Sequence, residues 1–475
     1  MFTDETTSSL QLVVNEPDLI RTTIDTKTAT VSLDDCLACS GCVTSAETVL
    51  IAQQSMSEVL LVLKEKKHTL CVLSIAPQAR AALSVAYNIP SNIMHEKLNT
   101  YFKSLGFHLI LDTSACTDLA LVEAREEFKT RYKTQQVRKW KSPPLSLAIS
   151  STETFYPDNN GDSDPNPYTV LPMLTSACPG WVCYAEKSQS EALPHISTTK
   201  SPQQILGALV KRGIVASSYK VKAEDVYHVT LMPCYDKKLE ASRKDFSWEN
   251  EESLKLKEVD TVLTSRELVQ YWTEENIDIV NLISTPLDEN EMMFSNWSND
   301  GKTLYSATTG EASVSGGYLE HIFRYSAKTL FNVDLGNDPL EYIMGRNNDI
   351  RHVELIVDGK VVLSFAQAYG FRNIQGVLNK LRRSKNRHDF VEIMACPGGC
   401  VNGGGQVPDQ KTSDVIEALT HIQSPRDPVE NRLVQSVYAS LGNVTPGDKA
   451  VRELLHTRYH AVPKMERSNP MGIQW

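Results

Sequence analysis

Phe390-Val-Glu-Ile-Met-Ala-Cys-Pro-Gly-Gly-Cys-Val-Asn-Gly-Gly-Gly-Gln406 decides how this chain is read. An apolar run of strand length, Phe390–Met394, passes into a loop that carries two thiols and five glycines. The same order occurs twice more. A strand-like run at 169–174 precedes Thr175-Ser-Ala-Cys-Pro-Gly-Trp181, and Val226–Met232 precedes Met232-Pro-Cys-Tyr-Asp-Lys-Lys-Leu-Glu240. Sites in α/β proteins gather beyond the carboxyl ends of strands, so three such loops can converge. Together they offer Cys178, Cys234, Cys396 and Cys400, the four thiolates that a cubane iron–sulfur cluster takes.

Local composition supports that chemistry. Proline flanks the thiol in Cys178-Pro179, Pro233-Cys234 and Cys396-Pro397, where its fixed φ stiffens the loop. The glycines after Cys396 let backbone pass close to a bulky inorganic group and leave N–H groups to face its sulfides. A structural zinc site would also accept four thiolates, but such sites favour paired Cys-x₂₋₄-Cys knuckles. Cys36-Leu-Ala-Cys-Ser-Gly-Cys42 adds Cys36, Cys39 and Cys42 in a ferredoxin-like spacing. Seven of the ten cysteines therefore stand in ligand-like contexts. Cys71, Cys116 and Cys183 read as packing residues, with Cys116 slightly activated at a helix start.

Further out, strands are predicted at 69–75, 107–112, 259–263, 353–357 and 360–365. Helices are predicted at 116–129, Pro202–Lys211, 266–274, 317–330 and 374–383. Alternation of this kind specifies an α/β fold with parallel or mixed sheets covered by helices. Residues 1–30 read as a polar arm, 142–167 as a surface insertion, and 249–258 and 285–301 as further excursions. Residues 412–460 read as two or three helices, followed by a tail. The chain thus divides into an N-terminal arm and cluster segment (1–68), a large α/β domain (69–411) and a helical region with tail (412–475).

The chain has 475 residues, 41% hydrophobic and 22% charged, with a net charge of −10. That balance argues against a general nucleic-acid binder, which needs clustered Lys and Arg. The basic run Lys380-Leu-Arg-Arg-Ser-Lys-Asn-Arg387 reads as a solvated helix end. No apolar stretch approaches the ~20 residues of a membrane span, and Met1-Phe-Thr-Asp-Glu-Thr lacks the apolar core of a secretory signal. The expected compartment is the cytosol, with the nucleus as an extension, where clustered cysteines are metal ligands rather than disulfides.

The three long-range stretches resemble, in order, the signature sequences of [FeFe]-hydrogenases, over about residues 69–410. The resemblance implies two α/β lobes around a buried cluster, with a helical C-terminal extension similar to the hydrogenase small subunit. It also implies that Cys400 would bridge to a di-iron unit and that Lys237 would stand beside one of its diatomic ligands. Ala177 departs from that pattern, because hydrogenases carry a proton-relay cysteine there. Alanine cannot act as a general acid or base, so no hydrogen turnover is expected.

Ala177 together with Cys36, Cys39 and Cys42 makes the chain resemble the Nar family of [FeFe]-hydrogenase-like proteins. That resemblance implies a non-catalytic role in cytosolic iron–sulfur assembly with two [4Fe–4S] clusters. The expected partners are an upstream scaffold complex, a targeting complex and apo iron–sulfur proteins, with no nucleic acid and no membrane. Family members carry a further cysteine ahead of the Cys-x₂-Cys-x₂-Cys run, whereas residues 1–35 here contain none. The alternatives for that position are a three-iron cluster, an oxygen ligand such as Asp34 or Asp35, or a distant thiolate. The terminal Trp475 resembles the aromatic end by which family members dock on the targeting complex, an indole and a carboxylate forming one anchor. Rival readings are an iron–sulfur electron-transfer oxidoreductase and a nuclear prelamin-binding paralogue.

Overall fold

The computed structural model describes residues 45–139, 170–250 and 252–462. The cysteines at 36, 39 and 42, the insertion read at 142–167 and the tail ending in Trp475 lie outside these residues.

Two sheets organise the described chain. The first has four parallel strands in the order Leu109–Asp112, Leu70–Ile75, Val226–Met232, Thr261–Thr264. Every residue of Leu70–Ile75 and Val226–Met232 is buried. These strands have helices on both faces, which is why they read as continuous apolar runs rather than alternating ones. The second sheet is mixed, in the order Met173–Thr175, Phe390–Met394, Lys360–Tyr369, Ile350–Val357, Ile343–Met344. Its first three strands are parallel and its last two pair antiparallel. Tight turn chemistry at Asp358-Gly359, both with positive φ, closes the Ile350–Val357 to Lys360–Tyr369 hairpin.

Strand Val226–Met232, strand Phe390–Met394 and helix Pro202–Lys211 fall where the sequence predicts them. That helix begins with Ser201 capping the Gln204 N–H and proline in the first turn. The predicted helix at 116–129 is the middle of a longer one, Ser114–Lys139, which packs against helices from both flanks. Its Phe128 meets Phe365 edge-on at 4.8 Å, and Phe365 stacks on Phe390 at 4.7 Å.

One expectation is corrected. Residues 285–301 are not a peripheral excursion. Asp288 and Glu291 form a capping box, Glu291 accepts the Ile110 N–H at 3.0 Å, and Phe294 and Trp297 are buried. A segment without helical or strand periodicity is drawn in because its carboxylate completes the edge strand's ladder. The stretch at 249–258 forms the outer half of a two-stranded ribbon, Ser247–Glu249 with Lys255–Lys257. Helices Pro77–Tyr87, Ser91–Leu105 and Pro179–Ser188 go unpredicted by periodicity.

Candidate metal centre

Strand Met173–Thr175 ends three residues before Cys178, Phe390–Met394 two before Cys396, and Val226–Met232 two before Cys234. The first two strands are neighbours in the mixed sheet, and the third lies in the parallel sheet. The loops nevertheless close on one another. A Cβ at Gly180 would lie 2.7 Å from Asp236 Oδ2 and 3.7 Å from the Ala395 Cβ, so the first loop touches both others. A Cβ at Gly403 would run into the Pro233 carbonyl and reach the Cys234 Cβ at 3.2 Å. Gly399 has φ +86, and a Cβ there would meet Ser315 and Tyr369. Only glycine combines that backbone with so little room.

Side chains hold the loops in register. Ser176 donates from Oγ to the Ile393 carbonyl at 2.5 Å and accepts the Cys178 N–H at 3.0 Å. Ser315 Oγ accepts the Cys400 N–H at 3.1 Å. The Met394 sulfur lies 3.9 Å from Cys400 Sγ. Beneath them Glu392 accepts from the Tyr369 hydroxyl at 2.6 Å and from the Leu319 N–H at 2.7 Å.

Cys178 is buried, and Cys234, Cys396 and Cys400 are half-buried; none is in a disulfide. Burial pushes the Cys178 thiol up to about 12, aided by the Asp236 carboxylate and by Cys400. Burial likewise raises Cys234 well above the ordinary thiol range, with Asp236, Cys178 and Cys396 adding to it. Cys396 is raised by burial and then by Cys178, Cys400 and Asp236. Burial and the Asp236 carboxylate thus act on three of the four thiols. Among the described residues, however, no three His, Cys, Asp or Glu side chains gather closely enough to ligate a single ion. Asp236 and Ser315 went unremarked in the sequence; Asp236 had a signal, being two residues from Cys234.

Lys237, matched by resemblance to a hydrogenase lysine, donates to Glu240 Oε2 at 2.9 Å. Glu240 also accepts from Ser201 Oγ at 2.9 Å and Gln203 Nε2 at 3.0 Å. Beside Ala177 and Cys178 lies a cavity of about 20 Å³, lined also by Cys183, Lys200, Arg243 and Tyr459. That volume admits about one water-sized group.

The remaining cysteines divide. Cys71 is buried in its strand, and burial pushes its thiol up to about 11. Cys116 is wholly buried, and burial raises its thiol, opposing the activation expected at a helix start. Cys183, read as a packing residue, shares the cavity of Cys178.

No helix among the described residues is long and apolar enough to cross a membrane. The family model described as iron only hydrogenase large subunit, C-terminal domain, matches residues 69–157 and 162–404. An apo [FeFe]-hydrogenase from Chlamydomonas reinhardtii superposes with a TM-score of 0.67 at 25% identity, over 86% of this chain and 99% of that one. The cytosolic Fe-S cluster assembly factor narfl of Danio rerio is 42% identical, over 92% of this chain and 98% of its own length. Protein NAR1 of Arabidopsis thaliana is 41% identical over 91% of this chain and 86% of its own. The cytosolic iron-sulfur assembly component 3 of Bos taurus is 40% identical over 94% and 87%. With such relatives along nearly its whole length and this fold beneath them, the chain belongs to the iron-only hydrogenase-like proteins and, among these, to the Nar family of cytosolic iron–sulfur assembly factors.

Proposed function

We propose that this protein is a non-catalytic component of cytosolic iron–sulfur protein assembly. In this reading Cys178, Cys234, Cys396 and Cys400 hold one [4Fe–4S] cluster, and Cys36, Cys39 and Cys42 hold three corners of a second. What supports it is the contact among the three loops that carry these four unbridged thiols, in the fold of iron-only hydrogenases. Two single ligands and one Cys-x₃-Cys pair suit a cubane cluster better than the paired knuckles of structural zinc. When bound, the cluster supplies iron that exchanges thiolate ligands.

The chain's own residues do the rest. Apolar packing around Trp181 and Val391 excludes water, and the glycine loop lets backbone approach. Ligation requires each thiol to lose its proton, so loading is pH-dependent. Ala177 supplies no proton and Lys237 is held by Glu240, which disfavours hydrogenase chemistry. The relatives' names place them in the cytosolic assembly machinery. The partners that fit are an upstream scaffold complex, apo iron–sulfur proteins in cytosol and nucleus, and a targeting complex docked through Trp475.

Anaerobic reconstitution with iron and sulfide counting tests the ligand set. Wild type should bind about twice the iron of Cys234→Ser, whose lost signal belongs to the buried cluster. Equal iron in both would overturn the assignment. Hydrogen evolution by the reconstituted protein would revive the oxidoreductase alternative. Trp475 deletion should weaken co-purification of the targeting complex at unchanged iron content.

A further inference from the structure

The basic run Lys380-Leu-Arg-Arg-Ser-Lys-Asn-Arg387 is more than the solvated end of a helix. Helix Phe371–Arg382 stops inside it, and the chain then closes a double turn. The Ser384 N–H donates to the Leu381 carbonyl at 2.9 Å and the Lys385 N–H to the Lys380 carbonyl at 2.8 Å. That pair of bonds is the Schellman arrangement, which fixes the backbone past the last helical turn. Asn386 next donates to the His388 carbonyl at 2.6 Å, and strand Phe390–Met394 begins. Arg383, Lys385 and Arg387 are thereby carried on a bonded turn.

This turn borders a cavity of about 530 Å³, whose lining includes Gln135, Leu171, His195, Leu381, Arg387 and His388. Leu171 lies just ahead of strand Met173–Thr175, and His388 just ahead of its parallel neighbour Phe390–Met394. The cysteine loops leave the other ends of these strands, so the cavity is at the far end of the sheet from them. Arg382, also in the lining, is bonded to Glu191 and Gln189. Lys380, Arg383, Lys385 and Arg387 are exposed and, among the described residues, make no ion pair. Their charge reaches the cavity wall: burial first, then His352, Lys380 and Arg387, push the His388 imidazole down to about 4. Compensation of the helix dipole accounts for Lys380 and Arg382 in the last turn, but not for Lys385 and Arg387 beyond it.

We infer that this cavity and its cationic turn form a docking site for an acidic segment of a partner protein. The whole chain carries a net charge of −10, so acidic surfaces are repelled elsewhere and drawn to this unpaired cluster. Dispersed carboxylates fit it better than phosphate. The helix offers its C-terminus, with partial negative charge, and not the N–H groups that hold phosphate. Glu191 and Asp389 also stand in the lining and oppose a dense anion. Leu171, Pro172 and Leu381 give the apolar side chains of such a segment a place between its charges.

Fluorescence anisotropy on the full-length protein tests the site, with a labelled peptide of about twelve residues, Asp or Glu alternating with Leu and Ser, as the probe. Wild type should bind it. Lys385→Ala/Arg387→Ala should bind about fivefold or more weakly at low salt, whereas Lys222→Ala/Lys449→Ala, which removes as much exposed charge, should match wild type. No binding by wild type, or equal weakening in the two variants, overturns the site. A labelled single-stranded oligonucleotide bound more tightly than the peptide, and lost in Lys385→Ala/Arg387→Ala, overturns the acidic segment in favour of nucleic acid. Sedimentation that shows wild type as a dimer and Lys385→Ala/Arg387→Ala as a monomer overturns it in favour of a second copy. Peptide affinity should be equal before and after anaerobic iron loading; affinity that appears only with iron would move the site to the cysteines and overturn it. The ligand assignment proposed above can fail without touching this result.

Discussion

Gly403 has φ −62°, a value any residue adopts, so its constraint is one of space alone. The Pro233 carbonyl and the Cys234 side chain occupy the room a Cβ would need. Gly403→Ala must therefore push the Cys234 loop aside. A stability loss of about 1–3 kcal/mol is expected, read as a lower urea midpoint, together with reduced iron retention in the buried cluster. Full retention at wild-type stability would show that the two loops are not packed as described. Ala177 is the opposite case, a residue whose smallness matters chemically. Ala177→Cys places a thiol where the hydrogenase resemblance implies a proton relay, yet the adjoining cavity is about 20 Å³ and Lys237 is already bonded to Glu240. The variant is expected to evolve no hydrogen above wild type, measured with reduced methyl viologen; clear turnover would contradict this account of the cavity.

The strand Val226–Met232 shows what an element contributes beyond placing Cys234. Its His228 is wholly buried, with Nδ1 2.9 Å from the Glu258 carbonyl and Nε2 2.7 Å from Ser74 Oγ. Burial pushes its imidazole down to about 4. His388 is pushed down to about 4 by the same cause. Between pH 6.5 and 4 the unfolded chain takes up a proton at such a site and the folded chain does not. Stability is therefore full above pH 6.5 and falls as pH drops towards 4. His228 alone should account for about 2 kcal/mol between pH 7 and pH 5, read from urea midpoints. His228→Asn should flatten that slope, and an unchanged slope would show that His228 carries no such linkage.

For the molecule as a whole, the decisive contacts join segments remote in sequence. Glu123, on the long helix Ser114–Lys139, accepts from the Tyr438 hydroxyl at 2.5 Å and from the Gly447 N–H at 2.9 Å, and its Oε2 lies 2.9 Å from His456 Nε2. Glu127, one turn further, accepts from Arg131, Ser197 and the Thr198 N–H. Burial opposes its ionisation, but Arg131 and His456 hold it below the ordinary carboxylate range. The C-terminal helices are thereby bolted to the central helix rather than appended to it. His456→Ala removes a hydrogen-bond partner from a buried carboxylate and should cost about 1.5–3 kcal/mol, seen as a lower Tm. A variant melting like wild type would mean that the bolt is elsewhere.

The sequence alone determined the strands that lead to Cys234 and Cys396, because a buried parallel strand must be a short continuous apolar run and each ends in its cysteine loop; the run read at 169–174 forms a strand only at Met173–Thr175, after Pro172. It also set alanine at 177, a side chain without an exchangeable proton, beside Cys178. Periodicity missed helix Pro179–Ser188 and helix Pro77–Tyr87, whose first turns are proline-led, and misread 285–301, which is fixed by Glu291 reaching a distant edge strand. Only the tertiary structure decided that loops from two different sheets share one space, that Cys116 is wholly buried, and that Thr457 and Tyr459 line the cavity beside Cys178. The reason is physical. Strands and caps are set by neighbours a few residues away, whereas burial, desolvation and the meeting of thiols depend on which distant surfaces pack together.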